Sequence, residues 1–272
     1  MKDTIELSHE RVDDIPLIIG LAQQLHLPER LDHHLGNHGH HQGVSNGWLT
    51  TIWLASILTE GDHRKSSVQD WVDRHQHTLE QLVQQPLRAG ECNDDRLGIV
   101  LRRLSCPAAW QGLEAELWAS TVTVYEVAVA GVRLESTTTC GYHTSSEEGL
   151  MQYGHSKGHR PDLAQVKLMA AAAQPSGHLL ACEVHAGQRA DDPLYQPLIT
   201  RVRHLLGRTG LLYAGESKMA ALATRAAIVA HGDFDLMPLP LTGQTPDQLL
   251  TWVEAAVSAT GAIGAFASTG SA

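Results

Sequence analysis

The sequence predicts an α/β protein in which a helical N-terminal domain precedes a mixed-sheet domain. Three observations predict it. Apolar residues recur at i, i+3 and i+4 spacing from Ile15 to about Trp118, the period of an amphipathic helix. After residue 130 the runs become short, β-branched and alternating, as in Val132-Arg133-Leu134-Glu135-Ser136-Thr137. In order, the later segments read β, β, β, α, β, α, β, a hairpin-rich start followed by crossovers, which belongs to a mixed sheet. The expected boundaries are 1–128 for the helical domain, 129–240 for the sheet domain and 241–272 for a helix and frayed tail.

Each element has a local reason. The first helix is expected from Ile15, behind the cap candidates Asp13 and Asp14 and with Pro16 in its first turn. Leu17, Ile18, Leu21 and Leu25 carry it to Pro28. Trp48 to Leu58 reads as a second, largely buried helix, stopped at Glu60-Gly61-Asp62-His63. Val68 to Leu82 is a third, and Asp94-Asp95 are expected to cap a fourth over Leu97 to Leu104. Beyond the first strand, Gln165 to Ala173 and Leu179 to His185 flank Pro175-Ser176-Gly177, a hairpin signal. Pro193 to Leu206 is a helix with Leu194, Leu198, Val202 and Leu205 on one stripe. Gly210 to Gly215 is a buried strand, and the alanine-rich Lys218 to His231 a helix. Phe234 to Pro238 is a strand and Thr245 to about Ala256 a last helix, with Ala259 to Ala272 an unfolded end.

Composition excludes several classes. With 272 residues, 43% hydrophobic and 18% charged, the chain buries a real core and is not globally disordered. Met1-Lys2-Asp3-Thr4-Ile5-Glu6 lacks the basic and apolar regions of a secretory signal. Trp48 to Leu58 is the longest apolar window, and a membrane span needs about 20 residues. Cys92, Cys106, Cys140 and Cys182 form no C-x-x-C pair, as expected of reduced thiols in a cytoplasmic protein. The formal charge of -10 argues against a small basic DNA-coating protein. It is unevenly spread: residues 151–225 hold nine Lys/Arg against five Asp/Glu, the remainder eleven against twenty-five. A locally basic cleft on an acidic body is therefore expected.

Two carboxylates stand out. Glu135 lies in the first strand of the sheet domain and Glu216 directly after the Leu211-Leu212-Tyr213 run. If those strands are neighbours, both acids converge at the carboxyl ends of parallel strands, where open α/β sheets place their sites. Paired carboxylates there suit Mg²⁺ or Mn²⁺. The loop Gly154 to Leu163 adds Lys157 and Arg160, with His159 between them, as candidates for gripping backbone phosphates. No G-x-x-x-x-G-K-[ST] motif occurs. Asp32 to His41 packs five imidazoles and a carboxylate into ten residues, a rival signal for Zn²⁺, Ni²⁺ or Cu²⁺. The glycines that break it favour a solvated interhelical loop.

Several runs together carry a resemblance. They are Arg133-Leu134-Glu135-Ser136-Thr137-Thr138, Gly154-His155-Ser156-Lys157 with His159-Arg160-Pro161-Asp162-Leu163-Ala164-Gln165-Val166-Lys167, Arg189-Ala190-Asp191-Asp192-Pro193-Leu194-Tyr195, and Leu212-Tyr213-Ala214-Gly215-Glu216-Ser217-Lys218-Met219-Ala220. With Val12 to Pro16 and Gly47 to Arg64, they resemble the DDE transposases of bacterial insertion sequences over about residues 10 to 250. The resemblance implies a ribonuclease H-like core, here partial. It also implies two divalent ions, Mg²⁺ or Mn²⁺, held by three acids that cut DNA at element ends and join it to target DNA. Implied with these are a homodimer, no membrane association, and a place in the bacterial cytoplasm at the nucleoid. By position Glu135 matches the family's first acid and Glu216 its second, so both are the expected catalytic and metal-binding residues.

The sequence departs from that family twice. Where the family has aspartate, this chain has Glu135 and Glu216. Each added methylene extends the side chain by roughly 1.3 Å, and a misplacement near 1 Å can cost about 10²-fold in rate. The third acid is also missing: Glu254 is the only glutamate after Glu216, and no family motif surrounds it. The expectation is a truncated, catalytically impaired transposase-like protein. The alternatives are a non-catalytic DNA-binding or dimerising remnant and a histidine-rich metal-binding protein.

Overall fold

The computed structural model describes residues 9–37, 42–238, 241 and 243–258. The fold is mixed α/β, a helical N-terminal region followed by a five-stranded mixed sheet, as the sequence predicts. The chain forms two compact units that meet at Val127 and Ala128.

The N-terminal unit contains seven α-helices among its described residues: α1 (Ile15–Gln24), α2 (Leu27–Leu35), α3 (Asn46–Glu60), α4 (Val68–Arg74), α5 (Gln76–Val83), α6 (Asp94–Leu104) and α7 (Pro107–Tyr125). Its core joins Ile15 and Ile19 to Leu49, Ile52, Trp71, Leu79, Leu97 and Leu113, which draws on six of the seven helices. In α1 the buried face is Ile15, Ile19 and Ala22, whereas Leu17 and Leu21 of the expected stripe are exposed, and several helix ends and caps also differ from expectation. The first helix stops at Gln24 rather than Pro28, because His26 turns left-handed at φ 51° and Pro28 falls in the first turn of a new helix. Asp14 does not cap α1; its carboxylate accepts a hydrogen bond from Thr59 Oγ1 at 3.0 Å instead. The expected Val68–Leu82 helix is split at His75, whose buried ring Nδ1 donates to the Trp71 carbonyl at 2.8 Å. Asn93, not the Asp94-Asp95 pair, caps α6 by accepting from Arg96 N at 2.9 Å. The 19-residue α7 extends beyond the expected limit near Trp118.

The second unit contains β1 (Val129–Gly141), β2 (Ala164–Pro175), β3 (Leu179–Ala186), α8 (Asp192–Leu206), β4 (Leu212–Gly215), α9 (Leu222–Ala230), β5 (Phe234–Leu236) and α10 (Thr245–Ser258). The sheet order is β3-β2-β1-β4-β5. β1, β2 and β3 are antiparallel neighbours, whereas β4 joins β1 and β5 joins β4 in parallel. The crossover from β3 to β4 is α8, which buries Leu194, Tyr195, Leu198, Ile199 and Val202. The alanines of β2 leave room for it: Ala171 and Ala173 are buried on the face that carries Leu134 and Val132 of β1. The expected Lys218–His231 helix is two pieces, a 3₁₀ turn over Ser217–Ala220 and then α9. Among the described residues no helix is long and apolar enough to cross a membrane. The tail Ala259–Ala272 and His38, His40 and His41 of the histidine run lie outside the described residues.

Candidate functional site

The parallel pairing of β1 with β4 fixes the site. Gly131 to Leu134 pair with Leu212 to Gly215, so Glu216 leaves the carboxyl end of β4 one residue beyond the partner of Leu134. At Gly215 a Cβ would overlap the Met219 sulfur, so the buried methionine side chain would have to shift to admit one. Strand alternation then sorts β1 by face. Val132, Leu134 and Ser136 are buried on the side packed by α8, while Arg133, Glu135 and Thr137 are exposed on the other. Glu135 and Glu216 both line an open cleft of about 750 Å³ with Arg133, Ala214 and Gly215.

The two glutamates sit in different surroundings. Glu135 is half-exposed, and its nearest cation is Arg133 at 3.8 Å. Glu216 is drawn toward α8, where one oxygen, Oε1, accepts from Ser136 Oγ at 3.0 Å, Lys157 Nζ at 3.0 Å and Tyr195 OH at 2.9 Å. Lys157 is held in turn by the Ser136 carbonyl at 2.5 Å and its hydroxyl at 2.6 Å. Next to them Asp191, immediately before α8, pairs with Lys167 of β2 and lies 3.1 Å from Ser136 Oγ, whose single proton the two carboxylates share. Lys167 also donates to the Arg189 carbonyl, and this lysine is only 5% exposed.

The electrostatics follow from that geometry. Burial alone would raise the Glu216 carboxyl, but the bonds from Lys157, Tyr195 and Ser136 outweigh it and hold it below its ordinary value. Asp191 behaves alike, with burial opposed by the bond and charge of Lys167. Tyr195 is pushed well above its ordinary value by burial and by its bond to Glu216, so it remains a donor. Lys157 Nζ, 3.0 Å from Glu216 and 3.8 Å from Asp191, supplies the positive charge between two carboxylates.

In the loop expected to grip phosphates, both cations are paired with carboxylates. Lys157 points inward to Glu216, and Arg160 is paired with Asp162 at 2.6 Å, because a carboxylate two residues away suits its guanidinium fork. His159 is exposed and turns left-handed at φ 57°. Six of the nine cations in residues 151–225 form ion pairs: Lys157–Glu216, Arg160–Asp162, Lys167–Asp191, Arg201–Glu183, Arg203–Asp233 and Arg225–Asp235. Sequence reasoning gave no role to Ser136, Lys167, Asp191 or Tyr195, although all four stand inside the motifs that carry the resemblance.

The donor set does not fit a two-ion carboxylate centre. Mg²⁺ is bound through carboxylates and waters in near-ideal octahedral geometry at about 2.0–2.1 Å. Here Glu216 Oε1 already takes three donors, one of them an ammonium, and Asp191 is neutralised by Lys167. Among the described residues, the one group of three ligating side chains close enough to share an ion includes neither Glu135 nor Glu216.

Comparison with known proteins adds the following. Residues 7–109 match a family model described as a domain of unknown function, DUF4277. No curated protein matches the chain. Among solved structures, the chain is similar to a piggyBac transposase in a synaptic complex with hairpin DNA, at 8% identity and a TM-score of 0.40 over 87% of this chain. It spans about half of that protein, 53% of its length. It is also similar to a Mos1 transposase in a paired-end complex with the left transposon end, at 11% identity and a TM-score of 0.29, covering 92% of this chain and 85% of that one.

Proposed function

We propose that this chain is a transposase-like, DNA-acting protein built on a ribonuclease H-like core whose strand-cleaving chemistry is impaired. One observation carries the reading: β1 and β4 pair in parallel, so that Glu135 and Glu216, the acids matched by the motif resemblance, line one cleft. The sheet order, with three antiparallel strands followed by two parallel crossovers, supports the same core.

Impairment rests on the residues themselves. The lengthened side chains reach past the aspartate positions, and Glu216 bends into the Ser136–Lys157–Tyr195 cluster. That cluster keeps the carboxylate ionised and fixed, with Oε1 engaged by three donors. The non-catalytic remnant is the second reading, favoured by the same Lys157–Glu216 pair.

Binding tests the DNA half of the proposal. Fluorescence anisotropy with duplexes from the DNA flanking the coding sequence, against scrambled duplexes of equal length, is expected to show preferential binding. Affinity should fall with salt as phosphate contacts release counterions. Equal, salt-insensitive or undetectable binding to both would overturn it.

A further inference from the structure

Outside the sheet unit, a second cluster of ligating side chains lies where α2 meets α7. Arg30 of α2 joins the helices by donating from Nη1 to the Glu116 carbonyl at 2.7 Å and from Nη2 to Ser120 Oγ at 2.9 Å. On that frame His34 Nε2 stands 2.9 Å from Glu116 Oε2, and His33 Nδ1 stands 3.7 Å from the same oxygen. One ligand atom from each of the three residues lies within 4.8 Å of the others, the only such group among the described residues.

The spacing matches a metal polyhedron. For an ion held at about 2.0–2.1 Å, the corners of a tetrahedron stand roughly 3.3–3.4 Å apart. The observed 2.9 and 3.7 Å lie on either side of that edge, and the His33 side chain, 75% exposed, has room to turn onto the ion. A second observation concerns Gly112. A Cβ there would sit 2.7 Å from Cε1 and 2.8 Å from Nδ1 of His34, so the bare backbone of α7 is what lets the ring lie against it. The Arg30 Nε is 3.8 Å from the opposite oxygen, Oε1, which leaves Oε2 turned toward the imidazoles.

We propose that His33, His34 and Glu116 form a binding site for one first-row transition-metal ion such as Zn²⁺, with a fourth position open to solvent. Two imidazoles and a carboxylate suit Zn²⁺, Co²⁺ or Ni²⁺ rather than Mg²⁺ or Ca²⁺, which take oxygen ligands. The ion ties α2 to α7, so it stabilises the helical unit by binding the folded chain. The site lies within the helical unit and does not depend on the DNA reading.

Cobalt titration of the full chain, carrying no added histidines, tests this through visible d–d absorption, with Zn²⁺ as the displacing ion. One equivalent of Co²⁺ is expected to give a four-coordinate spectrum that Zn²⁺ removes. His34→Ala and Glu116→Gln are each expected to weaken binding by at least about tenfold, the lower end of what disturbing a ligand's support alone costs. Glu116→Gln keeps an acceptor for His34, so with an unchanged far-ultraviolet circular dichroism spectrum it reads ligation separately from folding. A chain with His38, His40 and His41 all replaced by alanine is expected to bind as the native one does. Absence of the band, its persistence in both ligand variants, or its loss only with the three-histidine replacement would overturn the proposal.

Discussion

Removing Asp191 exposes how the site is held. Lys167 and Asp191 form an ion pair whose side chains are 7% and 10% exposed, and Ser136 Oγ bonds to the same carboxylate. Asp191→Ala therefore strands an ammonium inside the sheet–helix interface with one backbone carbonyl, from Arg189, as its partner. Breaking a buried pair by deleting one partner costs about 3–5 kcal/mol, whereas an exposed pair is worth about 0–1 kcal/mol. The assay is hydrogen–deuterium exchange of peptides spanning β1 and β2, which reports the sheet unit apart from the helical one. If the opening that exposes those amides is the opening that releases Lys167, exchange accelerates by roughly one hundred- to several-thousand-fold. The double change Lys167→Met with Asp191→Leu is expected to recover most of the protection, because apolar groups of similar volume carry no desolvation penalty. An acceleration below about fivefold in Asp191→Ala would equate to about 1 kcal/mol and refute the claim that this pair is a buried one.

Two further predictions concern acid and packing. Glu216 and Asp191 titrate below their ordinary values of 4.5 and 3.8, so their stabilisation is complete above those values and is lost as pH falls through the lowered, folded ones. The urea midpoint should be level from neutral pH down to about pH 5 and then drop; Lys157→Gln should make that drop shallower, and an identical acid profile in the variant would contradict the assigned role of Lys157. Gly215→Ala should cost about 1–3 kcal/mol by driving a methyl into Met219, measured as a fall in the urea midpoint, and Gly215→Ala with Met219→Ala should recover part of it; a neutral single variant would show the glycine is dispensable.

What was legible in the sequence was what depends on neighbours in the chain. The alternation of Val132, Leu134 and Ser136 against Arg133 and Glu135 is written in one strand, and the structure keeps it. The stripe of Leu194, Leu198 and Val202 likewise predicts the buried face of α8. Helix breaks were less legible, because His75 competes for the Trp71 carbonyl with a ring nitrogen that any helix periodicity ignores. The partner of Glu216 was not legible at all. Lys157 is 59 residues away and reaches it only because β4 inserts beside β1, and a loop lysine on its own reads as a solvent-facing grip. The pairing of Lys167 with Asp191 was hidden for the same reason, inside an alanine-rich strand where a lysine looks like a surface residue.

The most direct test of the central claim is strand nicking. The native chain, and a form carrying Glu135→Asp, Glu216→Asp and Lys157→Ala, would be incubated with supercoiled plasmid bearing the flanking DNA and Mg²⁺ or Mn²⁺. The account predicts preferential binding of that DNA by the native chain with no nicking above the metal-free control. Metal-dependent nicking by the native chain at a rate matching the triple-substituted form would contradict it.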